Sequence, residues 1–367
     1  MGSPAAGVFA NRLPNSEIIL LLVKKRSGKM APAPNVISAS VTRIADFSAY
    51  SVEPLPRSQW AWGDYAVGEV TQPPSATAMI ELCSGRLASV DVGDLVIGAF
   101  ATRFATLEST GSWEYIGDDN LMSSMTSAGL FGVVTSRSPF GLDHVRLRYV
   151  GHVIVEGEKQ RMADYARGRP SAGLRTPVLL IVGSSMSAGK TQSARILIRR
   201  LKTMGRRVIG VKLTGAGRYR DILTMGDSGA DAILDFVDAG LPSTVCEPEV
   251  FRDAARRLFG AIDATGADIA VVEAGASPLE PYNGDTATAL LRDNIRMTLL
   301  CASDPYSVVG MVAAFDRKPD LVAGIATNTD AGQALIRKLT GLPTLRLMDR
   351  TSLPQLDALL REKLRLE

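Results

Sequence analysis

Residues 182–191 read Val182-Gly183-Ser184-Ser185-Met186-Ser187-Ala188-Gly189-Lys190-Thr191. They come after a continuous apolar run at 178–182 and open a segment, 191–204, in which Ala194, Leu197 and Leu201 share one helical face. Strand, glycine-bearing loop and helix in that order make a phosphate-binding loop. Glycine lets the backbone turn tightly enough for successive N–H groups to face phosphate oxygens, and the helix N-terminus adds the positive end of its dipole. Gly183, Ser184, Ser185, Met186, Ser187, Ala188, Gly189, Lys190 and Thr191 are all expected to line the anion. Lys190 offers a point charge to the β- and γ-phosphates, and the Thr191 hydroxyl offers an oxygen to Mg²⁺. One feature departs from the common pattern. Five residues rather than four separate Gly183 from Gly189, and Ser184 stands where a glycine is usual.

Downstream, strands are expected at 208–213, 269–273, 297–302, 321–327 and 344–348. Helices are expected at 230–239, 248–264, 286–293, 308–315, 332–339 and 353–364. Continuously apolar strands alternating with amphipathic helices predict an α/β domain, its parallel sheet covered on both faces. Ligands of such sheets bind beyond the carboxyl ends of the strands. Ligand contacts are therefore expected from the loops at those strand ends, including the turn-rich loop at 277–285, a candidate substrate loop.

The preceding segment, 36–165, has a different rhythm. Short β-like runs at 36–41, 65–70, 78–82, 95–100 and 145–150 are broken by Gly63-Asp64, Gly93-Asp94 and Gly117-Asp118-Asp119. Val145, Leu147 and Tyr149 alternate with His144, Arg146 and Arg148, as in a half-exposed strand. The pattern predicts a smaller β-rich domain, barrel or sandwich; residues 123–132 fit either a short helix or a loop. Residues 166–176 read as a linker, which leaves 177–367 to the α/β domain. Residues 1–35 read as an extension, with Met30 as the expected true start. Their apolar run, 18–23, is too short for a bilayer, which takes ~20 residues, and lacks the order of a secretory signal.

At 46% hydrophobic and 22% charged residues the chain has enough apolar material for a sizeable core. A net charge of +3 gives no reason to expect nucleic acid or an anionic membrane as partner. Cys83, Cys246 and Cys301 have neither disulfide nor metal-ligand spacing, which fits a reducing cytoplasm. Both histidines, His144 and His152, precede the loop, so chemistry beside it is expected to proceed without imidazole.

The longer loop resembles that of dethiobiotin synthetase and cobyric acid synthase, which also place five residues between the first glycine and Gly-Lys-Ser/Thr. Gly210-Val211-Lys212-Leu213-Thr214-Gly215 is similar to the second-strand segment of dethiobiotin synthetase. Asp268-Ile269-Ala270-Val271-Val272-Glu273-Ala274-Gly275-Ala276 is similar to its third motif. The resemblance covers residues 177–348 and excludes the N-terminal domain. It implies ATP and Mg²⁺ as cofactors, Lys212 as the charge facing the transferring phosphoryl group or substrate, and Glu273 as a ligand of the metal or its water. The plainer readings are a solvated lysine and a carboxylate at strand ends. The resemblance also implies a metal-binding aspartate after the second strand, for which Asp227 and Asp231 compete; Asp227 before Ser228 equally fits a helix cap. Asn328 answers to a base-contacting asparagine, and a simple turn explains it as well. Arg218 and Arg220, beside a glycine turn, fit a bidentate clamp on a substrate carboxylate or phosphate and equally fit solvated loop charges.

The leading functional expectation is γ-phosphoryl transfer from ATP to a small carboxylate-type substrate, by a ligase- or kinase-like enzyme with no nucleic-acid or membrane partner. A homodimer is compatible with it. Residues 230–240 and the long loop also resemble the P-loop family that includes D-glutamate N-acetyltransferase, which implies coenzyme A as the phosphate-bearing ligand. That family carries Met where this chain has Thr191, and the retained hydroxyl favours a nucleotide with Mg²⁺. A nucleotide-gated adaptor is a third reading; the Cys or His ligands and the partner-binding loop lysine common in such proteins are absent. The β-rich domain fits a lid, a substrate wall or a dimerisation surface.

Overall fold

A computed structural model describes residues 35–275, 277–315 and 317–365. The expected start at Met30 and most of the extension lie outside them.

The N-terminal part is built of short strands: β1 (Val36–Ser38), β2 (Ser51–Glu53), β3 (Tyr65–Val70), β4 (Ile80–Glu81), β5 (Leu87–Ala88), β6 (Leu95–Phe100), β7 (Thr102–Phe104), β8 (Ser109–Ser112), β9 (Leu121–Ser124), β10 (Leu130–Arg137), β11 (Val145–Val155) and β12 (Glu158–Lys159). β6 pairs with β3 on one side and β10 on the other, and β11 and β9 complete the ring from β3 back to β10. The ring closes as a small barrel, which removes the edges an open sheet would expose. Ala66, Val70, Val96, Phe100, Phe131, Val145 and Leu147 belong to the core that fills it. The alternation read along β11 is present from Val145 to Tyr149, with Val145, Leu147 and Tyr149 buried and Arg146 and Arg148 exposed, but His144, expected on the exposed face, is buried. The strand expected at 36–41 ends at Ser38, and a 3-10 turn comes next at Ser40–Thr42. Residues 123–132 form neither a helix nor a simple loop. They are the end of β9, a turn with Gly129 at φ 90°, and the start of β10.

The second part carries β13 (Val178–Gly183), β14 (Val208–Thr214), β15 (Ala232–Asp235), β16 (Ile269–Ala274), β17 (Ile295–Cys301) and β18 (Leu321–Ala323). They form one parallel sheet in the order β15-β14-β16-β13-β17-β18. Its helices are α1 (Lys190–Thr203), α2 (Tyr219–Gly226), α3 (Pro248–Ala264), α4 (Gly284–Leu291), α5 (Pro305–Ala314), α6 (Asp330–Thr340) and α7 (Leu353–Leu364). Every residue of β13 is buried because both faces are covered. Leu179 and Ile181 pack with Ala194 and Leu197 of α1 and Leu356 of α7, whereas Leu180 and Val182 pack with Phe251 and Leu258 of α3. The fold is therefore α/β with a parallel sheet, preceded by a β-rich barrel.

Three expected elements differ. Residues 230–239 form no helix: Ala232–Asp235 is an edge strand in register with Ile209–Lys212, and a turn comes after it. A short apolar run does not distinguish the two by periodicity, and the free edge of β14 decides. The strand expected at 344–348 is reduced to one bridge, Val322 with Thr344, after which Leu345 and Leu347 turn in against the core. The strand expected at 321–327 stops at Ala323, where Gly324 takes φ 85°. A Cβ there would stand 2.3 Å from the Ala188 carbonyl oxygen, so only glycine lets this strand end close against the loop.

The two parts share one apolar core. Val41, Tyr65, Leu130 and Val153 from the barrel join Leu213, Phe236, Val237 and Leu241 from the sheet side.

Candidate functional site

The loop at 183–189 leaves β13 in the centre of the sheet and enters α1, with Gly189 at φ 99° as the N-cap. Ser184 is fixed by its N–H donating to the Cys301 carbonyl at 3.0 Å and by its hydroxyl accepting from the Ser303 N–H at 3.2 Å. Ile325 N–H reaches the Ala188 carbonyl at 3.4 Å from the other rim. Lys190 is 2% exposed, and its ammonium donates to the Ser185 carbonyl at 2.6 Å. Burial pushes the Lys190 pKa below the usual lysine value, and Glu273 opposes that shift without cancelling it. The Ser185 hydroxyl is buried and has no hydrogen-bond partner.

Glu273 stands in β16 level with Ile181 of β13 and Lys212 of β14. The Thr191 hydroxyl donates to its carboxylate, at 3.2 Å to Oε2. Burial pushes the Glu273 pKa up, while Lys212 and Lys190 pull it back. Lys212 is nearly buried and forms an ion pair with Asp221. Burial alone would lower the Lys212 pKa; Asp221 and Glu273, with a smaller share from Asp235, outweigh it and hold it above the usual value. Asp221 shows the complementary balance: burial raises its pKa and Lys212 brings it below the usual carboxylate range. Across the sheet, Asp235, Lys212 and Glu273 form one row. The ladder then breaks between Lys212 and Thr214, which re-aims the strand end.

The structure thus brings Lys190, Thr191, Lys212 and Glu273 together. It places Asp227 and Asp231 elsewhere. Asp231 precedes β15 at the amino edge of the sheet, where it pairs with Lys202 at 2.6 Å and accepts the Val208 N–H at 2.7 Å. Val208 begins the strand in which Lys212 lies four residues on, ~13 Å away. Asp227 is exposed at the C-cap of α2, at the far end of that helix from Asp221. The acid that reaches Lys212 is Asp221, which the motifs in the sequence do not single out. Arg218 is half-buried at the N-cap of α2, close enough for its charge to lower the Asp221 pKa, and Arg220 is exposed. Asn328 is exposed just after the 3-10 turn Ile325–Thr327 that touches the loop. The segment beyond Glu273 is anchored to the barrel: Phe104 N–H donates to the Tyr282 hydroxyl at 3.0 Å, and Thr106 donates to Glu280.

Among the described residues no cluster of three or more His, Cys, Asp or Glu is placed to hold a metal, and no helix is long and apolar enough to cross a membrane.

No family model matches the chain, and no curated protein sequence matches it. Solved structures give partial likenesses. One is the signal recognition particle receptor FtsY from Elizabethkingia anophelis, at 14% identity and TM-score 0.34 over 48% of this chain and 59% of that one. Another is the hydrogenase maturation factor HypB from Archaeoglobus fulgidus, at 15% identity and TM-score 0.35 over 52% and 90%. A third is a DUF1611 family protein from Anabaena variabilis, at 18% identity and TM-score 0.33 over 53% and 62%. The matched region spans about three fifths of the FtsY chain's length.

Proposed function

We propose that this protein is a P-loop enzyme that binds ATP with Mg²⁺ and transfers the γ-phosphoryl group to a small carboxylate-type substrate. The observation that carries the reading is the convergence of Thr191 on Glu273, 3.2 Å apart, with Lys190 and Lys212 as the flanking cations. A hydroxyl and a carboxylate are the hard oxygen donors that Mg²⁺ takes, and this metal is usually held by one or two such groups plus substrate phosphates rather than by an all-protein cage. The orphaned Ser185 hydroxyl also fits a ligand oxygen in the loop. Bound Mg²⁺ would supply charge neutralisation at the phosphates.

In this reading the loop amides and Lys190 hold the terminal phosphates. Phosphate would take over the Lys190 ammonium from the Ser185 carbonyl. Lys212, kept protonated by Asp221 and Glu273, faces the charge that develops on the transferring group. Arg218, half-buried beside Asp221, and the exposed Arg220 are the candidates to hold an acceptor carboxylate. Catalysis of this kind is positioning and electrostatics, which suits a site without imidazole. The resemblance of the loop sequence to that of dethiobiotin synthetase supports an acid-activating reaction.

A thermal-shift screen with ATP, GTP and coenzyme A, each with Mg²⁺, tests the reading. A ligand that binds only the folded state raises the apparent stability by mass action. A shift with ATP supports the proposal; a shift with coenzyme A and none with ATP overturns it.

A further inference from the structure

α2 is a helix of two turns with no side-chain cap of its own, since the N-cap residue Arg218 provides none. Its first N–H groups are satisfied from the other part of the molecule. Glu81, at the end of β4 and wholly buried, accepts the Tyr219 N–H at 2.7 Å through Oε2 and the Arg220 N–H at 2.9 Å through Oε1. Ser40 completes the carboxylate's contacts. A carboxylate at this position satisfies two orphan donors and meets the positive end of the helix dipole. A second barrel residue grips the same turn. Arg43 lies over the Tyr219 ring at 4.4 Å and ion-pairs with Asp235 and Asp238.

Each contact bears on Lys212. The residue after Arg220 is Asp221, the ion-pair partner of Lys212, so the helix turn that Glu81 fixes is the one that presents Asp221. Asp235 is the β15 neighbour of Lys212 in register, and Arg43 engages it with a charge of its own. Asp235 gives its ion pair to Arg43, and the ion pair of Lys212 goes to Asp221. We propose that Glu81 and Arg43 are positioning residues through which the barrel sets the place of Lys212. The barrel thereby completes a site whose other residues all belong to the α/β part. Its catalytic consequence rests on the phosphoryl-transfer reading; the placement of Lys212 does not.

The test uses the full chain, as wild type, Glu81→Gln, Glu81→Ala and Arg43→Lys, below the melting temperature of each. Reductive methylation followed by peptide mass spectrometry reads the accessibility of Lys212 and Lys190 separately. In Glu81→Ala, methylation of Lys212 is expected to rise about tenfold while Lys190 stays protected. Glu81→Gln keeps one acceptor and should fall between Glu81→Ala and wild type. Arg43→Lys keeps the charge at Asp235 and should restrain Lys212 better than Glu81→Ala does. Loss of a merely structural contact would expose both lysines together or neither. Equal protection of Lys212 in folded Glu81→Ala and wild type overturns the proposal, as does parallel exposure of Lys190. A second arm measures Mg·ATP affinity and phosphate release. Affinity within twofold of wild type with a tenfold or greater fall in release rate supports the catalytic consequence; an unchanged release rate overturns it. If wild type binds no Mg·ATP, the nucleotide reading fails while the methylation result still decides the role of Glu81.

Discussion

Replacing Lys190 by Met separates the two roles a buried lysine can have. Lys190 is 2% exposed and its ammonium is satisfied by one loop carbonyl. Burial lowers its pKa in the folded state, so the unfolded chain holds this proton more readily. A charged Lys190 in the folded protein therefore bears a desolvation penalty that an apolar side chain would not. Met keeps the length and removes the charge. Exchange of buried ions for apolar residues is often neutral or stabilising by ~1–4 kcal/mol. Part of this is offset here, because Glu273 loses one of its two lysine neighbours. A net gain of ~0–2 kcal/mol remains, which in a chain of this size means a melting temperature between unchanged and about 3 °C higher. With ligand the sign reverses. Mg·ATP at a hundred times Kd stabilises wild type by ~2.7 kcal/mol. Losing a charge-assisted contact of ~1.5–3 kcal/mol weakens affinity about 10- to 150-fold. The ligand gain at the same ATP concentration then falls to ~0.3–1.4 kcal/mol. Calorimetry with and without Mg·ATP reads both numbers. A melting temperature lowered by more than ~4 °C with an undiminished ligand shift would show that Lys190 holds the fold rather than phosphate.

Glu273→Gln should make stability less dependent on pH. Because the folded-state pKa of Glu273 is raised, its contribution is present below the unfolded carboxylate value and is lost as pH rises through the folded value. Urea melts at pH 4 and pH 8 should show a smaller difference in the variant than in wild type, and equal differences would contradict the assigned shift. Gly324→Ala places a Cβ 2.3 Å from the Ala188 carbonyl at φ 85°; we expect a loss of ~1–3 kcal/mol and weaker Mg·ATP binding. Unchanged affinity in isothermal titration would show that the loop does not depend on this contact. His144 is nearly buried with its Nε2 unpartnered, and burial, with Arg103, Arg137 and Arg146 adding to it, lowers its pKa to about 4. Its contribution to stability is present above the ordinary histidine value and lost as pH falls through about 4. His144→Gln should flatten the melting temperature across that window, and a parallel decline in both proteins would exclude His144 as a source of acid sensitivity.

The parts of this molecule that sequence makes legible are those whose causes are local. A phosphate loop is written in consecutive residues, since the turn needs Gly189 and the helix begins at Lys190. Glu273 is legible because a carboxylate ending an apolar run is conspicuous. Pro248–Ala264 and Leu353–Leu364 are delimited by an N-terminal proline and by their own apolar stripes. Asp221 is inconspicuous because the helix that presents it is eight residues long and capped by a side chain 138 positions earlier. Nothing near Asp221 signals that helix. Asp227 and Asp231 come after the second strand, as the resemblance asks, but position along the chain does not say at which edge of the sheet a residue emerges. Residues 232–235 become a strand because β14 has an edge to cover, a fact about neighbours rather than about those residues. The closure of the barrel through β6 and β10 is non-local in the same way.

The core that runs from Val41 and Leu130 into Phe236 and Leu241 also bears on how the chain can be divided. Residues 166–176 join two sheets that share this apolar cluster. That crossing is itself strapped to α3: Ser171 N–H meets the Arg256 carbonyl at 3.0 Å, and the Asp263 carboxylate receives the N–H groups of Arg175 and Thr176. A protease nick there would sever the covalent path and leave the shared interior intact, so the two fragments should travel together on a sizing column. The α/β portion made alone would bare Ala216, Val237 and Leu241 to water and leave the start of α2 uncapped. In this protein the barrel is not an appendage to the sheet but part of its interior.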